Sequence, residues 1–381
     1  MNATDIAALH ASDHYGSFVL AGGGADLLAA LLVVPGASGT VADARVPYAA
    51  AAMAEYLGGT TDQAVAVGTA RVMAMAALRQ TLRLGAPDDS EPFGFALTAS
   101  LRSAAPKRGD HRVHIALQTL GATTTLSLTL TKNARSRAAE ETLVSTLGWS
   151  MLAALAGIDC APVELLAPER LERAVQHGNP AWRPLITGAV EALDFATGAT
   201  PGAAPTPRLI FPGSFDPLHA GHLQMAAIAE TRTALRVEYE LCIANVDKPP
   251  LDYAAIADRA AHIGGRRRLW LSRAGTFVAK AQVFPGATFV VGLDTLVRIA
   301  EARFYASESV RDQAAADIAA QGCRFLVFGR RLGGTFLTLN DVQIPPALRA
   351  MCDVVPESAF RADLSSTQLR AAQAGSGPEP P

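Results

Sequence analysis

The sequence predicts an α/β protein of two domains. Its 381 residues have the length expected of two domains. Half of the residues are hydrophobic and 18% are charged, which supplies enough apolar surface for two cores and argues against disorder. In both halves, short apolar segments of strand type alternate with longer segments of strong helix formers, a pattern typical of sheets covered by helices.

In the first half, a predicted strand at residues 17–21 is followed by the turn Gly22-Gly23-Gly24. The rest of this half predicts helices at 25–34, 48–57, 62–84 and 138–156, with strands at 93–98, 112–120 and 123–131. The last two strands alternate around Gly121 and Ala122, which is a hairpin signal.

The two halves are joined by a connector at residues 158–207. We predict helices at 166–175 and 184–196, then a Pro/Gly-rich linker over 198–207. The domain boundary is placed in that linker, because few contacts cross such segments.

The second half predicts a strand at 208–212, a helix at 219–235 and a strand at 237–244, which together form a βαβ unit with a right-handed crossover. Further strands are predicted at 269–271, 288–292, 323–329 and 335–339 and near residue 354, with helices at 276–284 and within 304–321. We therefore expect a Rossmann-like parallel sheet that binds its ligand beyond the carboxyl ends of the strands.

The first strand and helix of this half flank the segment Gly213-Ser-Phe-Asp-Pro-Leu-His219-Ala-Gly221-His222. Free amides and partial positive charge make a helix N-terminus attractive to anions. His219 and His222 are three residues apart, so they share a helix face and can both donate hydrogen bonds. Gly221 between them leaves room for a ligand, and the segment predicts a phosphate site.

This segment resembles the Gly-x-Phe-x-Pro-x-His-x-Gly-His signature of the nucleotidyltransferase superfamily. That superfamily includes nicotinamide and nicotinate mononucleotide adenylyltransferases, pantetheine-phosphate adenylyltransferases and cytidylyltransferases. Gly292-Leu-Asp294 is similar to its Gly-x-Asp element, which passes close to the adenosine. Leu364-Ser-Ser366-Thr367-Gln-Leu-Arg370 resembles the Ile-Ser-Ser-Thr-x-Ile-Arg element of the nicotinate and nicotinamide enzymes.

The resemblance implies His219, His222 and Lys248 as catalytic residues. The nucleotide-binding residues that it implies are Gly213, Ser214, Phe215, Asp216, Gly221, Gly292, Asp294, Ser366, Thr367 and Arg370. Mg²⁺ is expected to arrive with ATP and to bridge its phosphates, without protein ligands of its own. Stacking of Trp270 on the base of a nucleotide is an alternative, although a position in the core is favoured for this residue.

Residues 15–157 resemble the C-terminal domain of the CinA family, which includes nicotinamide mononucleotide deamidases. The clearest similarities are at residues 27–30, 34–38 and 113–117. Gly22 stands where that family has its nucleophilic serine, and Met53 stands near the position of its lysine. A serine nucleophile needs a nearby base, so this domain is expected to lack deamidase activity.

Several classes of protein are disfavoured. A net charge of −2 without a basic stretch gives no reason to expect nucleic acid as a partner. The four cysteines are widely spaced, which is typical of free thiols in a reducing cytoplasm. Neither a signal peptide nor a membrane span is expected. A homo-oligomer is compatible with this interpretation, and residues 373–381 are expected to be a disordered tail.

The sequence thus favours transfer of AMP from ATP to a mononucleotide, with nicotinamide or nicotinate mononucleotide preferred and a place in NAD biosynthesis. Domains are expected at 1–157 (CinA-like and inactive) and 208–372 (nucleotidyltransferase). Pantetheine-phosphate adenylyltransferase and cytidylyltransferase activities are alternatives. A further alternative is a scaffold protein that binds nucleotide without turnover.

Overall fold

The structure is a computed structural model that describes residues 1–105, 107–244, 249–265, 267–332 and 335–360. The chain divides into two compact α/β units. The first comprises Met1–Thr187 and Val246–Ala255, and the second comprises Gly188–Asn245 and Ile256–Pro381. Among the helices described, none has both the length and the apolar character of a membrane span.

The first unit is built on a six-stranded sheet with the order β2-β1-β3-β4-β5-β6. The strands are β1 (His14–Ala21), β2 (Val41–Arg45), β3 (Glu91–Ser100), β4 (His111–Thr119), β5 (Ala122–Leu130) and β6 (Glu172–His177). β1 is parallel to β2 and β3, whereas the pairs from β3 to β6 are antiparallel. The predicted hairpin is thus present as β4 and β5.

Helices cover both faces of this sheet. They are α1 (Ala3–His10), α2 (Ala25–Val33), α3 (Ala50–Leu57), α4 (Val67–Leu84), α5 (Arg137–Leu155) and α6 (Arg183–Thr187), with short 3-10 helices at Ala37–Gly39 and Pro180–Trp182. The large side chains of β3, such as Phe95, pack with residues of α2 and α5. Its small residues face α4, where a Cβ on Gly94 would lie 2.1 Å from the carbonyl oxygen of Ala74.

Of the two helices predicted for the connector, the first is wrong and the second is present only at its start. Residues 172–177 form β6 instead, which pairs with β5, and residues 192–194 form β7 (Ala192–Asp194), a strand of the second unit. Only α6 falls within the second predicted helix, and it ends before Gly188, which has a φ of 86°. Every residue of β6 is exposed, so this edge strand carries no alternating pattern that the sequence could reveal.

The second unit is built on a seven-stranded sheet with the order β15-β12-β11-β8-β9-β10-β7. Its strands are β7, β8 (Arg208–Pro212), β9 (Val237–Cys242), β10 (Leu269–Ser272), β11 (Ala287–Gly292), β12 (Arg324–Phe328) and β15 (Cys352–Val355). All neighbouring strands are parallel except β7, which runs antiparallel to β10. A separate hairpin is formed by β13 (Arg330–Leu332) and β14 (Thr335–Leu337).

The helices of this half are α7 (Ala220–Thr233), α8 (Tyr253–Ile263), α9 (Phe277–Val283), α10 (Leu293–Ala300), α11 (Glu308–Ala320) and α12 (Pro346–Arg349), with 3-10 helices at Ala302–Phe304 and Leu339–Asp341. α9 is fixed to the sheet by a buried ion pair. Lys280 Nζ lies 2.7 Å from both carboxylate oxygens of Glu240 on β9, and Ser272 donates to the same carboxylate.

The order of the strands defines a switch point in this sheet. From β8 the chain proceeds to β9 and β10 on one side, and it then returns to place β11, β12 and β15 on the other. Loops that leave β8 and β11 therefore diverge at the carboxyl edge of the sheet. Open α/β sheets bind ligands in the crevice at such a point.

Candidate active site at the switch point

The turn after β8 is shaped by a glycine and an aromatic ring. The amide of Gly213 donates to the carbonyl of Glu240 over 3.0 Å, which ties the turn to β9. A Cβ on Gly213 would lie 2.5 Å from the ring of Phe215, so no larger residue fits. Phe215 itself has a φ of 47°, a conformation that non-glycine residues rarely adopt.

The side chain of Phe215 is only 1% exposed. Its ring centroid lies 5.6 Å from Phe211, 5.0 Å from Tyr239 and 5.4 Å from His222, with edge-to-face geometry in each pair. Phe215 was predicted to bind nucleotide. Its burial means that the side chain supports the His222 ring, and any contact with a ligand must come from the backbone.

The two histidines lie together at the start of α7. His219 is the residue that precedes the helix, and His222 is in its first turn. Their rings are stacked with centroids 3.8 Å apart and planes inclined by 27°. The Nδ1 atom of His222 accepts a hydrogen bond of 3.3 Å from the amide of His219. In the neutral ring the hydrogen must then be on Nε2, where it can be donated.

Burial keeps both rings uncharged at neutral pH. It lowers the pKa of His222 from 6.5 to about 4, with a smaller contribution from the neighbouring His219. Burial also lowers the pKa of His219. The Nδ1 atom of His219 is buried and has no hydrogen-bond partner within the described residues. Such an unsatisfied nitrogen is costly until a partner arrives.

The remaining residues of the motif lie in the same turn or on the same helix. Ser214 is half-buried and Gly221 is buried. The carboxylate of the exposed Asp216 accepts from Arg259 on α8 over 3.1 Å. The sequence assigns no role to Arg259, because its partner is 43 residues away in the chain.

The second predicted element, Gly292 and Asp294, lies at the end of β11. Gly292 ends this strand, and Asp294 is in the first turn of α10 rather than on the strand. A Cβ on Gly292 would lie 2.8 Å from a carboxylate oxygen of Asp294. The other oxygen accepts from Arg330 over 2.9 Å, an exposed ion pair that the sequence did not predict.

Four predicted residues lie outside the part of the chain that the structure describes. They are Lys248, Ser366, Thr367 and Arg370. Their roles as phosphate contacts stay predictions. The described residues do bring together the motif that follows β8, and they place Gly292 and Asp294 beyond the adjacent strand, β11.

Trp270 is a core residue rather than a platform for a base. It is 2% exposed and belongs to the core beneath α9. The guanidinium groups of Arg208 and Arg268 lie 5.4 and 5.2 Å from its ring. Its indole N–H donates to Glu238 over 2.5 Å, so both the ring and its polar atom are already in use.

In the first unit, the glycine turn after β1 packs directly against the backbone of β3. A Cβ on Gly22 would lie 1.9 Å from the carbonyl oxygen of Ala99. At the start of α2, the amide of Asp26 donates to Glu141 over 3.4 Å, and that of Leu27 donates to Ser145 over 3.2 Å. Met53 is buried in the core. Inactivity of this unit as a deamidase stays a prediction.

Comparison with solved structures gives proteins of the CinA superfamily, the family that residues 15–157 resemble. The competence/damage inducible protein CihA from Agrobacterium tumefaciens is 22% identical over 40% of this chain and 95% of its own, with a TM-score of 0.32. A CinA superfamily protein from Escherichia coli is 16% identical over 41% of this chain and 93% of its own, with a TM-score of 0.31. A search of curated proteins gave no match.

A family model matches the C-terminal part of the chain. Residues 210–372 match the model described as cytidylyltransferase-like. The match includes the turn after β8, both histidines and the Gly292 element, and it extends past the last predicted phosphate motif. This match supports a nucleotidyltransferase domain in the C-terminal part of the chain.

Proposed function

We propose that this domain transfers AMP from ATP to the phosphate of a mononucleotide, nicotinamide or nicotinate mononucleotide, and so contributes to NAD biosynthesis. An oxygen of the acceptor's phosphate attacks the α-phosphorus of ATP. The bond from that phosphorus to the bridging oxygen breaks, and pyrophosphate leaves. Such a reaction needs positioning and charge stabilisation rather than a covalent intermediate.

The observation that carries this proposal is the hydrogen bond that His222 accepts at Nδ1, from which its tautomer follows. Its Nδ1 accepts from the amide of His219, so the ring presents an N–H at Nε2. The helix that begins here is α7, which follows β8 at the switch point. A neutral donor at a helix N-terminus can stabilise the charge that develops on a phosphate.

The other predicted residues complete the proposed site. His219 has an unsatisfied buried nitrogen, which a phosphate could satisfy when it binds. Gly292 and Asp294 are proposed to lie beside the ribose. Lys248, Ser366, Thr367 and Arg370 are proposed to hold the leaving pyrophosphate, and magnesium is proposed to enter as the Mg²⁺–ATP complex.

The preference for nicotinamide and nicotinate mononucleotide comes from the Ser365-Ser366-Thr367 segment with Arg370, which resembles the corresponding element of those enzymes. A second candidate, cytidylyl transfer from CTP, is favoured by the description of the family model. The two differ in the donor nucleotide.

The test is release of pyrophosphate with Mg²⁺ and either ATP or CTP. The acceptors would be nicotinamide mononucleotide, nicotinate mononucleotide and phosphopantetheine. We expect release with ATP and one of the two mononucleotides. His222→Ala should lower kcat by about 10²–10³-fold, the usual effect of removing a donor to developing charge.

The matched control is His262→Ala, which removes an exposed histidine from α8 of the same domain. It should retain full activity. Release only with CTP would favour the second candidate. Binding of ATP without release for any acceptor would contradict both and indicate a protein that binds nucleotide without turnover.

A further inference from the structure

One arginine of the second unit lies on the buried face of α8. Ile256 and Ile263 are buried, and they are three positions before and four positions after Arg259. The three side chains therefore share a face of the helix, whereas Asp258 and Ala261 are exposed on the opposite face. The side chain of Arg259 is itself only 16% exposed. A charge in such a place is costly unless it has a partner of opposite charge.

The partner of Arg259 is Asp216, in the turn that joins β8 to α7. An Nη2 hydrogen of the guanidinium is donated to Oδ2 of the carboxylate, with 3.1 Å between the nitrogen and the oxygen. The Asp216 side chain is 53% exposed, so the carboxylate is the more accessible member of the pair. Both residues belong to the second unit. The ion pair thus connects α8 to the turn after β8.

The same turn carries the histidines of the candidate active site. Asp216 directly follows Phe215, whose buried ring lies against that of His222, and it precedes His219 by three positions. An uncompensated carboxylate in this turn would repel a polyphosphate, since both are negatively charged. Arg259 supplies the opposite charge, and its charge-assisted hydrogen bond also gives the turn a fixed point on a helix.

We propose that Arg259 is a positioning residue for nucleotide binding that acts through Asp216. It neutralises the carboxylate and holds the turn in the shape that presents His219 and His222. The inference rests on the proposed function, in which this turn receives the triphosphate.

The test compares Arg259→Ala in the otherwise unmodified chain with Arg259→Ala in a chain that also carries Asp216→Ala. Calorimetry would give the affinity for Mg²⁺–ATP and for Mg²⁺–CTP, and kinetics would give kcat and KM for the nucleotide that binds more tightly. We expect Arg259→Ala to lower the affinity about fivefold or more, with a similar rise in KM, because the carboxylate is left uncompensated. When Asp216→Ala is already present, the same change should lower the affinity less than about twofold, since contacting residues are energetically coupled.

The dependence on salt separates this role from a general loss of structure. Repulsion between Asp216 and the phosphates is screened by ions, so the loss of affinity in Arg259→Ala should shrink from about 0.05 M to about 0.5 M KCl. A loss of folding alone would lower the active fraction, and hence apparent kcat, without changing KM.

The matched control removes an arginine from a different ion pair of the same sheet. Arg324 is the first residue of β12 and lies 3.2 Å from the carboxylate of Asp353 on β15. It is therefore at the amino end of a parallel strand, whereas the candidate site lies beyond the carboxyl ends. Arg324→Ala should bind nucleotide as the unmodified protein does.

Equal losses of affinity from Arg259→Ala with and without Asp216→Ala would overturn the inference, as would an unchanged affinity in Arg259→Ala. If Arg259→Ala does not fold, Arg259→Gln takes its place in the same comparison, because it removes the charge and keeps much of the side chain. If the unmodified protein binds nucleotide without turnover, the proposed function fails, whereas the affinities of the variants still support or overturn the inference. A protein that binds neither nucleotide would overturn both.

Discussion

His222 and His219 illustrate how two ionisable rings can serve as neutral donors. Stacked 3.8 Å apart and partly buried, they could not both carry a charge without repulsion. The negative charge of a bound polyphosphate favours a protonated imidazole, and His219 can take up that proton because its Nδ1 has no partner within the described residues. Binding of ATP near neutral pH should therefore be accompanied by uptake of a proton at His219, while His222 stays neutral.

The lowered pKa of His222 also predicts how stability depends on pH. In the unfolded chain its pKa is near 6.5, whereas in the folded protein it is about 4. Below pH 6.5 the unfolded state binds the proton more readily, so the free energy of unfolding falls as the pH is lowered from 6.5 towards 4.

Urea unfolding of the protein and of His222→Gln at several pH values between 7 and 4 would measure this effect. Glutamine does not titrate, so the variant should lose less stability over that interval than the unmodified protein does. Parallel curves for the two proteins would contradict the assigned pKa.

At the scale of single elements, the close contact between α4 and β3 depends on one residue, Gly94. Gly94→Ala would place a methyl group 2.1 Å from the carbonyl oxygen of Ala74 and 2.2 Å from the amide nitrogen of Leu78. Both are backbone atoms, so the helix as a whole must move. We expect a loss of about 1–3 kcal/mol or more in the free energy of unfolding, measured by denaturant titration.

Gly68→Ala is the matched control, since no atom lies within 4 Å of the added methyl group and the residue is in the first turn of the same helix. It should be neutral or stabilising. A Gly94→Ala protein as stable as the unmodified one would show that α4 can shift freely.

The elements with a strong local pattern were predictable from the sequence. β8, α7 and β9 have apolar strands, a helix free of breakers and a glycine turn, and each lies within two residues of its predicted bounds. β2, β6 and β7 were not predicted as strands. β6 is entirely exposed, and β7 has three residues, so neither has the alternation by which strands are recognised.

The residues of the site, like the elements of the fold, were predictable only where the local sequence carries a strong pattern. Its histidines and glycines follow from one contiguous motif, and the structure places them together at the start of α7. The ion pairs of Arg259 with Asp216 and of Arg330 with Asp294 join residues 43 and 36 positions apart. Only the fold brings such partners together, and the local sequence gives no sign of them.

At the scale of the whole molecule, each unit has its own hydrophobic core. We therefore expect two transitions in calorimetric unfolding, in contrast to the single transition of small one-domain proteins. Mg²⁺–ATP at 100 times its Kd should raise the free energy of unfolding of the nucleotidyltransferase domain by about 2.7 kcal/mol. His222→Ala should reduce that shift, whereas one transition shared by both units would contradict the expectation.

The short strand β7 determines at which residue an expressed fragment of the second unit should begin. It pairs with β10 through Ala192, Leu193 and Asp194, although it precedes the Pro/Gly-rich segment at 198–207. A fragment begun at residue 208 would leave the outer edge of β10 bare, and a bare edge recruits strands from other molecules. Expressed that way, the isolated transferase would aggregate. A fragment begun at Gly188 keeps its own edge strand and is the one to produce.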